Sequence, residues 1–182
     1  MAEYSDEELL NLYRTGDNPA YAFNLLMRKY QENIYYFVRR MVIDHDDADD
    51  VVQNVFIKIW KNLENFRQDS ALFTWIYRIA VNEAISFLKS KRIRAMVSLS
   101  SLEASMLRSL RQDHEFTGDH IQQKLMQAIV RLPDKQRTVF NMRYFDELSY
   151  EQMSDILGTS VGALKASYHH AVRKISEFVT TH

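Results

Sequence analysis

The stretch from Leu148 to Lys165 carries the residue order that most directly implies chemistry in this chain. Ser149 and Gln152 have the spacing of a capping box, Met153, Ile156 and Leu157 supply a buried side, and Gly158 suits a left-handed turn. Ser160 is placed to cap the next helix. A short helix, a tight glycine turn and a longer helix are the parts of a helix-turn-helix, whose second helix reads duplex DNA in the major groove. In that second helix Val161, Leu164, Tyr168, Val172 and Ile175 share one face. Gly162, Ala163, Ala166, His169, His170 and Arg173 lie opposite, flanked by Lys165. Small residues near the start permit close approach to base edges, and hydrogen-bonding or basic residues further along can meet phosphates. No acid occurs from Val161 to Ile175. On pattern alone, an antiparallel helix pair with a merely solvated outer face is the alternative.

A second constellation is acidic. Asp44, Asp46, Asp47, Asp49 and Asp50 gather where a helix from about Asp47 to Asn62 begins, a position the helix dipole favours. Its buried stripe is Val51, Val52, Val55, Phe56, Ile59 and Leu63. His45 beside these acids suggests a metal, but neighbouring acids at a helix start diverge while a metal needs converging ligands; no metal site is expected. A third constellation is basic: Lys89, Lys91, Arg92 and Arg94 follow an apolar helix from about Ser70 to Arg92, and no acid lies between Glu83 and Glu103.

The elements that must hold these groups are all helical. Only 4 Gly and 2 Pro in 182 residues leave little turn chemistry for hairpins. Ser5 and Glu8 form a capping box for a short first helix, and Gly16 and Pro19 punctuate its end. From Ala20 to Met41, Phe23, Leu26, Tyr30, Ile34, Phe37 and Met41 recur at helical steps. Four further helices fit beyond Asp119: His120 to Arg131, Pro133 to Tyr144 with proline as a favoured first residue, Tyr150 to Leu157, and Val161 to Phe178. Between them, residues 94–118 interleave Ser98, Ser100, Ser101, Ser105 and Ser109 with Leu99, Leu102, Met106 and Leu110. This composition reads as an interdomain linker whose leucine spacing also suits a docking helix. The expected fold is all-α: two small helical domains, 1–93 and 119–182, joined by a flexible linker, 94–118.

Composition removes other classes. Hydrophobic residues at 46% and charged ones at 26% suit a globular chain rather than a disordered one. Cys at zero excludes disulfide frameworks, thiol nucleophiles and thiolate metal sites. The acidic start, Met1 to Glu8, is unlike a secretory signal, and no apolar run approaches the ~20 residues of a membrane span, so a cytoplasmic chain is expected. Lys+Arg 23 against Asp+Glu 24 gives 23 − 24 = −1, so any nucleic-acid signal lies in local segregation of charge. No phosphate-binding glycine loop, zinc-protease motif or nucleophile elbow is present, and neither an enzyme nor a cofactor is expected.

With these motifs assembled, the chain resembles a bacterial extracytoplasmic-function (ECF) sigma factor of the sigma-70 family over nearly its whole length. The resemblance rests on Asp47-Ala48-Asp49-Asp50-Val51-Val52-Gln53-Asn54-Val55-Phe56-Ile57-Lys58-Ile59-Trp60, then Phe66-Arg67-Gln68 and Thr74 to Asn82, then Leu132-Pro133 with Arg137, Phe140 and the helix-turn-helix. It implies a chain that binds core RNA polymerase, recognises two promoter elements about two helical turns apart, and helps melt the start region, with only the second and fourth conserved regions retained. The Asp47 to Trp60 helix would dock on the clamp helices of the largest subunit through Asp49, Asp50 and Gln53, with Phe56 or Ile57 as apolar anchor. The second domain would meet the flap of the second-largest subunit. Phe66, Arg67, Gln68, Asp69 and Ser70 would form the loop that captures unpaired −10 bases. Arg78 and Asn82 would contact the displaced strand, and Lys89, Lys91 and Arg92 would track phosphates. Phe73, Trp75, Tyr77 and Trp60 are expected mainly in the core.

The −35 element would be read by Ser160, Gly162, Ala163, Lys165, Ala166, His169, His170 and Arg173. Many relatives carry arginine at the positions of Ser167 and His170, so phosphate affinity here leans on Lys165, Arg173 and Lys174. ECF factors are commonly held by an anti-sigma protein, often membrane-embedded; such a partner, which would sequester the chain at the inner membrane, is expected, and no small-molecule substrate is. Two other readings remain open on residues alone. One is a stand-alone DNA-binding regulator whose first domain dimerises; the other is a helical adaptor that binds no nucleic acid.

Overall fold

The computed structural model describes residues 4–94, 99–113, 116 and 119–181. Of the expected linker, residues 95–98, 114, 115, 117 and 118, which include Ser98 and Gly118, lie outside the described residues, as do Met1 to Glu3 of the acidic start. Among the described residues the secondary structure is helical without strands: α1 Asp6–Thr15, α2 Pro19–Val42, α3 His45–Asn62, a 3-10 turn Leu63–Asn65, α4 Leu72–Arg94, α5 Leu99–Gln112, α6 His120–Val130, α7 Asp134–Tyr144, α8 Tyr150–Leu157 and α9 Val161–Thr181.

Local chemistry sets the boundaries. The Ser5 hydroxyl accepts from the Glu8 amide at 3.2 Å while the Glu8 carboxylate accepts from the Ser5 amide at 2.7 Å, closing the capping box of α1. Asn18 caps α2 through the Tyr21 amide, with Pro19 as first helical residue. Asp44 caps α3 through the Asp47 amide at 3.1 Å, so one of the clustered acids terminates a helix. Pro133 stands just outside α7 at φ −54°, ψ 146° rather than as its first residue, and the helix begins at Asp134.

The first four helices enclose one core. The α2 periodicity buries Phe23, Leu26, Tyr30, Ile34, Phe37 and Met41, against Val51, Val55 and Ile59 of α3 and Leu72, Ile76 and Ala80 of α4. The second group, α6 to α9, wraps Phe140, Met153, Ile156, Leu164 and Ile175, and Phe140 stacks between Tyr144 and Tyr168 at 5.1 and 5.7 Å. The two groups touch: α2 packs on α7 and α4 packs on α8.

Much of the stretch expected as a linker is a helix. In α5 the side chains of Leu102, Met106 and Leu110 are buried, and the helix packs on α6. A three- to four-residue apolar spacing finds its packing surface inside the same chain, on α6, rather than on a separate partner. Two consecutive arginines of α2 reach across to this second half. Arg39 pairs with Asp113 just after α5, its guanidinium 4.7 Å from the Phe116 ring centre. Arg40 pairs with Asp146, its guanidinium 4.7 Å from the Phe145 ring centre.

Candidate functional site

The outward face of α9 is the exposed side of the second helix of a helix-turn-helix. Gly158 ends α8 at φ 63°, ψ 30°, the left-handed geometry a non-glycine residue adopts at a penalty of ~1 kcal/mol or more. The turn aims α9 across α8, and the Ser160 hydroxyl accepts from the Ala163 amide at 3.3 Å. Leu164, Ala171 and Ile175 are buried underneath, whereas Ser160, Gly162, Ala163, Lys165, Ala166, His169, His170 and Arg173 are all exposed. A Cβ added at Gly162 would meet nothing within 4 Å, so glycine is not required there by packing. Lys165 leans over the Tyr150 ring at 5.7 Å, Arg173 sits 3.8 Å from Glu177, and Lys174 donates to Gln136 at 3.0 Å.

On the first domain, α2 and α3 leave an apolar groove of about 510 Å³ lined by Phe23, Met27, Gln31, Asp49, Val52, Gln53, Phe56, Ile57 and Trp60. Asp49, Asp50, Gln53 and Ile57 are exposed. Phe56 is 8% exposed and belongs to the core, so the accessible apolar anchor is Ile57, at 43%. Trp60, expected in the core, is also 43% exposed; its edge meets Phe23 at 4.9 Å and Tyr13 at 6.1 Å, so it is fixed but accessible. The signal for Trp60 is present in the sequence: Gln53, Ile57 and Trp60 follow at four and three residues, one continuous helix face. His45 bonds the Tyr35 hydroxyl at 2.7 Å and lies 3.5 Å from Asp49; no metal-ligand cluster occurs among the described residues.

The loop after the 3-10 turn forms a second concavity. Phe66, Gln68, Ser70, Ala71 and Leu72 face Asp6, Glu7 and Leu10 of α1 across about 590 Å³. Arg14 donates to the Phe66 carbonyl at 2.5 Å and ties the loop to α1. Gln68 is held at φ 61°, a left-handed conformation that a residue with a side chain adopts only where its surroundings impose it. Arg67, Gln68 and Asp69 are exposed and Ser70 is half-buried. Phe66 is not free to capture a base: it is 6% exposed and packs on the Trp75 ring at 4.9 Å, because an apolar ring following Leu63 completes the core rather than facing water. Phe73 and Tyr77 pack ring on ring at 4.5 Å.

The basic track divides. Asn82 and Lys89 are exposed, but three of its cations contact protein. Arg78 donates to the Asp155 and Ile156 carbonyls at 2.6 and 3.3 Å, at the negative end of the α8 dipole. Lys91 pairs with Asp47. Arg92 donates to both oxygens of Asp134 at 2.8 Å, and Asp134 also holds the buried Arg137. Burial outweighs these partners for Arg137, holding its guanidinium pKa below the usual value. Asp146, buried beside Arg40, is pushed up to about 6, burial being the larger cause and the arginine opposing it.

Residues 26–93 match the model of sigma-70 region 2 and residues 122–175 that of sigma-70 region 4. The RNA polymerase sigma-H factor of Pseudomonas aeruginosa is 32% identical, over 97% of this chain and 95% of that protein. The ECF RNA polymerase sigma-E factor of Escherichia coli K12 is 33% identical, also over 97% and 95%. Two solved structures share the fold. CnrH in complex with the cytosolic domain of CnrY has a TM-score of 0.70 at 22% identity, covering 97% of each chain. The sigma factor RpoE in complex with the anti-sigma factor NepR from Bartonella quintana has 0.66 at 20% identity, covering 87% of this chain and 96% of that one. Two regional matches in order and two near-full-length relatives place the chain in the sigma-70 family, as an ECF-type RNA polymerase sigma factor.

Proposed function

We propose that this sigma factor binds core RNA polymerase through the α2–α3 groove and reads a bipartite promoter with its two domains. The observation that carries the proposal is the outward face of α9, where all eight residues expected to meet the −35 element are exposed. They combine small side chains at the helix start with cations further along, the distribution a major groove and its phosphates require. The groove beside Asp49 and Gln53, with Ile57 and Trp60 at its rim, suits an amphipathic partner helix that offers arginines and an apolar ridge. A clamp helix of the largest polymerase subunit is that partner, and the flap of the second-largest subunit meets the second domain.

For the −10 element, the cavity between α1 and the 66–71 loop is the natural receptacle for a flipped base. Glu7 offers acceptors to an exocyclic amine, Asp6 being engaged by Tyr30 and Lys29, and Gln68 and Ser70 offer both donors and acceptors. Arg67, Asp69, Asn82 and Lys89 frame the path of the strand. The catalytic step belongs to the polymerase, and this chain supplies position and strand separation. An anti-sigma factor is the expected inhibitor: one solved neighbour is bound to an anti-sigma factor and another to the cytosolic domain of a second protein. No helix among the described residues is long and apolar enough to cross a membrane, so any hold at the inner membrane would come from that inhibitor.

The test is promoter-dependent transcription by purified core polymerase with and without this chain on a genomic template library, followed by mapping of the start sites. Starts that appear only with the chain and share two spaced motifs are expected. Equal output in both reactions refutes the proposal.

A further inference from the structure

A cleft of about 350 Å³ lies at the start of α7, lined by Arg92 from the end of α4, Glu103 from α5, and Arg131, Asp134 and Arg137 from the α6–α7 corner. Its volume falls within the ~300–1,000 Å³ of small-molecule sites. It shares no lining residue with the α2–α3 groove or with the cavity beside the 66–71 loop. Three guanidinium groups line it against two carboxylates, so its walls carry one positive charge in excess.

That positive charge is thinly compensated. Asp134 divides its carboxylate between Arg92, which donates to both oxygens at 2.8 Å, and Arg137, which donates to Oδ1 at 2.8 Å. The second carboxylate, Glu103, lies 3.6 Å from Arg131 and its side chain is 40% exposed. Arg137 is 2% exposed, and its other contact is the Met106 sulfur at 3.6 Å, a weak acceptor. Among the described residues, Nε of Arg137 and Nε of Arg92 are buried with no hydrogen-bond partner. Burial lowers the Arg137 pKa, Asp134 opposes this, and the neighbouring charge of Arg92 lowers it further. A buried cation that shares its close counter-ion is stabilised by further negative charge brought beside it.

The helix start adds to the same field. α7 runs for 11 residues from Asp134, and Pro133 at its N-cap position supplies no side-chain cap. Its first-turn amides have no intrahelical acceptor at the end that carries the positive pole of the helix dipole. Such an end accommodates a phosphate, and guanidinium groups are the side chains best matched to phosphate oxygens. The rest of the lining is apolar: Leu102, Met106, Val130 and Leu132 are buried side chains that border the cleft.

We propose that this cleft binds a small organic phosphate, with the phosphate at Arg92, Arg131 and the start of α7, Arg137 behind them, and the organic part on the apolar lining. The proposal goes beyond promoter reading and does not depend on it. Glu103 sets the affinity: its carboxylate repels a phosphate and competes for Arg131, and its exposed position lets it turn outward when the ligand enters.

The test uses the full chain without polymerase or DNA. Phenyl phosphate is the probe, and inorganic phosphate carries the anion without an apolar body. Binding is measured by calorimetric titration, with the phosphorus resonance of the probe as a second readout. The parent is expected to bind phenyl phosphate with a Kd of about 1 mM or tighter and inorganic phosphate about tenfold more weakly. Arg131→Gln should weaken phenyl phosphate binding by about tenfold or more, the scale of one charge-assisted hydrogen bond, and Glu103→Gln should tighten it severalfold. Lys61→Gln, which removes an exposed cation outside the cleft, should change nothing. Absence of binding by the parent overturns the inference. Equal affinity for the two probes also overturns it, as does a loss in Lys61→Gln that matches the loss in Arg131→Gln, which marks diffuse attraction. If Arg131→Gln loses helical circular dichroism together with binding, Glu103→Gln decides: tighter binding supports the site and unchanged binding refutes it.

Discussion

Gly162→Ala and Gly158→Ala are the same chemical change four residues apart, and the structure assigns them opposite signs. At Gly162, the second residue of α9, an added Cβ meets nothing within 4 Å. Alanine is favoured over glycine by about 0.8–1.0 kcal/mol inside a helix, and roughly half of that applies in the first turn. Gly162→Ala should therefore stabilise the chain by ~0.5 kcal/mol, a rise of about 1–2 °C in melting temperature for a chain of this size. At Gly158 the added Cβ also meets nothing, but φ is 63°, and holding alanine there costs ~1–2 kcal/mol, a fall of about 2–8 °C. The functional effects separate as well. The Gly162 methyl stands on the face that must approach base edges, so Gly162→Ala should weaken binding to the −35 duplex by about tenfold, within the ~1–3 kcal/mol that one base contact commands. Calorimetry gives the melting temperatures, and fluorescence anisotropy on a duplex recovered from start-site mapping gives the affinities. If Gly162→Ala stabilises the chain and leaves duplex affinity unchanged, the assignment of this face to the groove is wrong; if it destabilises the chain, the account of the helix start fails.

Ile57→Asp, at an exposed position, should alter stability by no more than ~0.5 kcal/mol while abolishing capture of core polymerase. Phe56→Ala one residue earlier should lower stability by about 3–5 kcal/mol because that ring is core; thermal melts and a pull-down distinguish the two. Lys165→Glu and Arg173→Glu should each weaken all duplexes regardless of sequence, and removing either cation should lower the slope of log affinity against log salt by about one, read from a salt titration. For Asp146, the folded chain holds the proton more tightly than the unfolded chain because burial, opposed by Arg40, raises its pKa from 3.8 to about 6. Its contribution to stability is therefore greatest at low pH, weakens by up to ~1.4 kcal/mol per unit as pH rises from about 4 to 6, and levels off above that. Comparing denaturant melts of the parent and of Asp146→Asn across this window, the component of stability that declines with pH is expected in the parent and absent from the variant.

What the sequence discloses follows the range of the interactions. Capping boxes at Ser5–Glu8 and Ser149–Gln152, the α2 stripe and the glycine turn at Gly158 are local patterns, and all of them appear in the structure. The exposed face of α9 follows from the same periodicity. Phe66 misleads because a ring in a non-helical stretch looks available, and its covering partner Trp75 becomes visible only once the loop folds back. Trp60 misleads in the opposite direction: tryptophan is buried on average, yet a groove between two helices leaves this one accessible. The partners of Arg78 and Arg92 lie 77 or 78 and 42 residues further along, and no periodicity connects them. The exposed face of α9 was legible because one helix defines it; the state of the α4 cations was not, because it depends on partners far along the chain.

The helix between the domains also works as a length reserve. Its 14 residues span about 21 Å while coiled, at about 1.5 Å each, and about 48 Å when drawn out, at about 3.4 Å each. Paying out α5 would add some ~27 Å to the tether, a sizeable part of the distance between two DNA elements. Reach is thereby coupled to release: the tether lengthens only after Leu102, Met106 and Leu110 leave their apolar seats. Any surface elsewhere that accepts those three side chains would draw the molecule out like line from a reel.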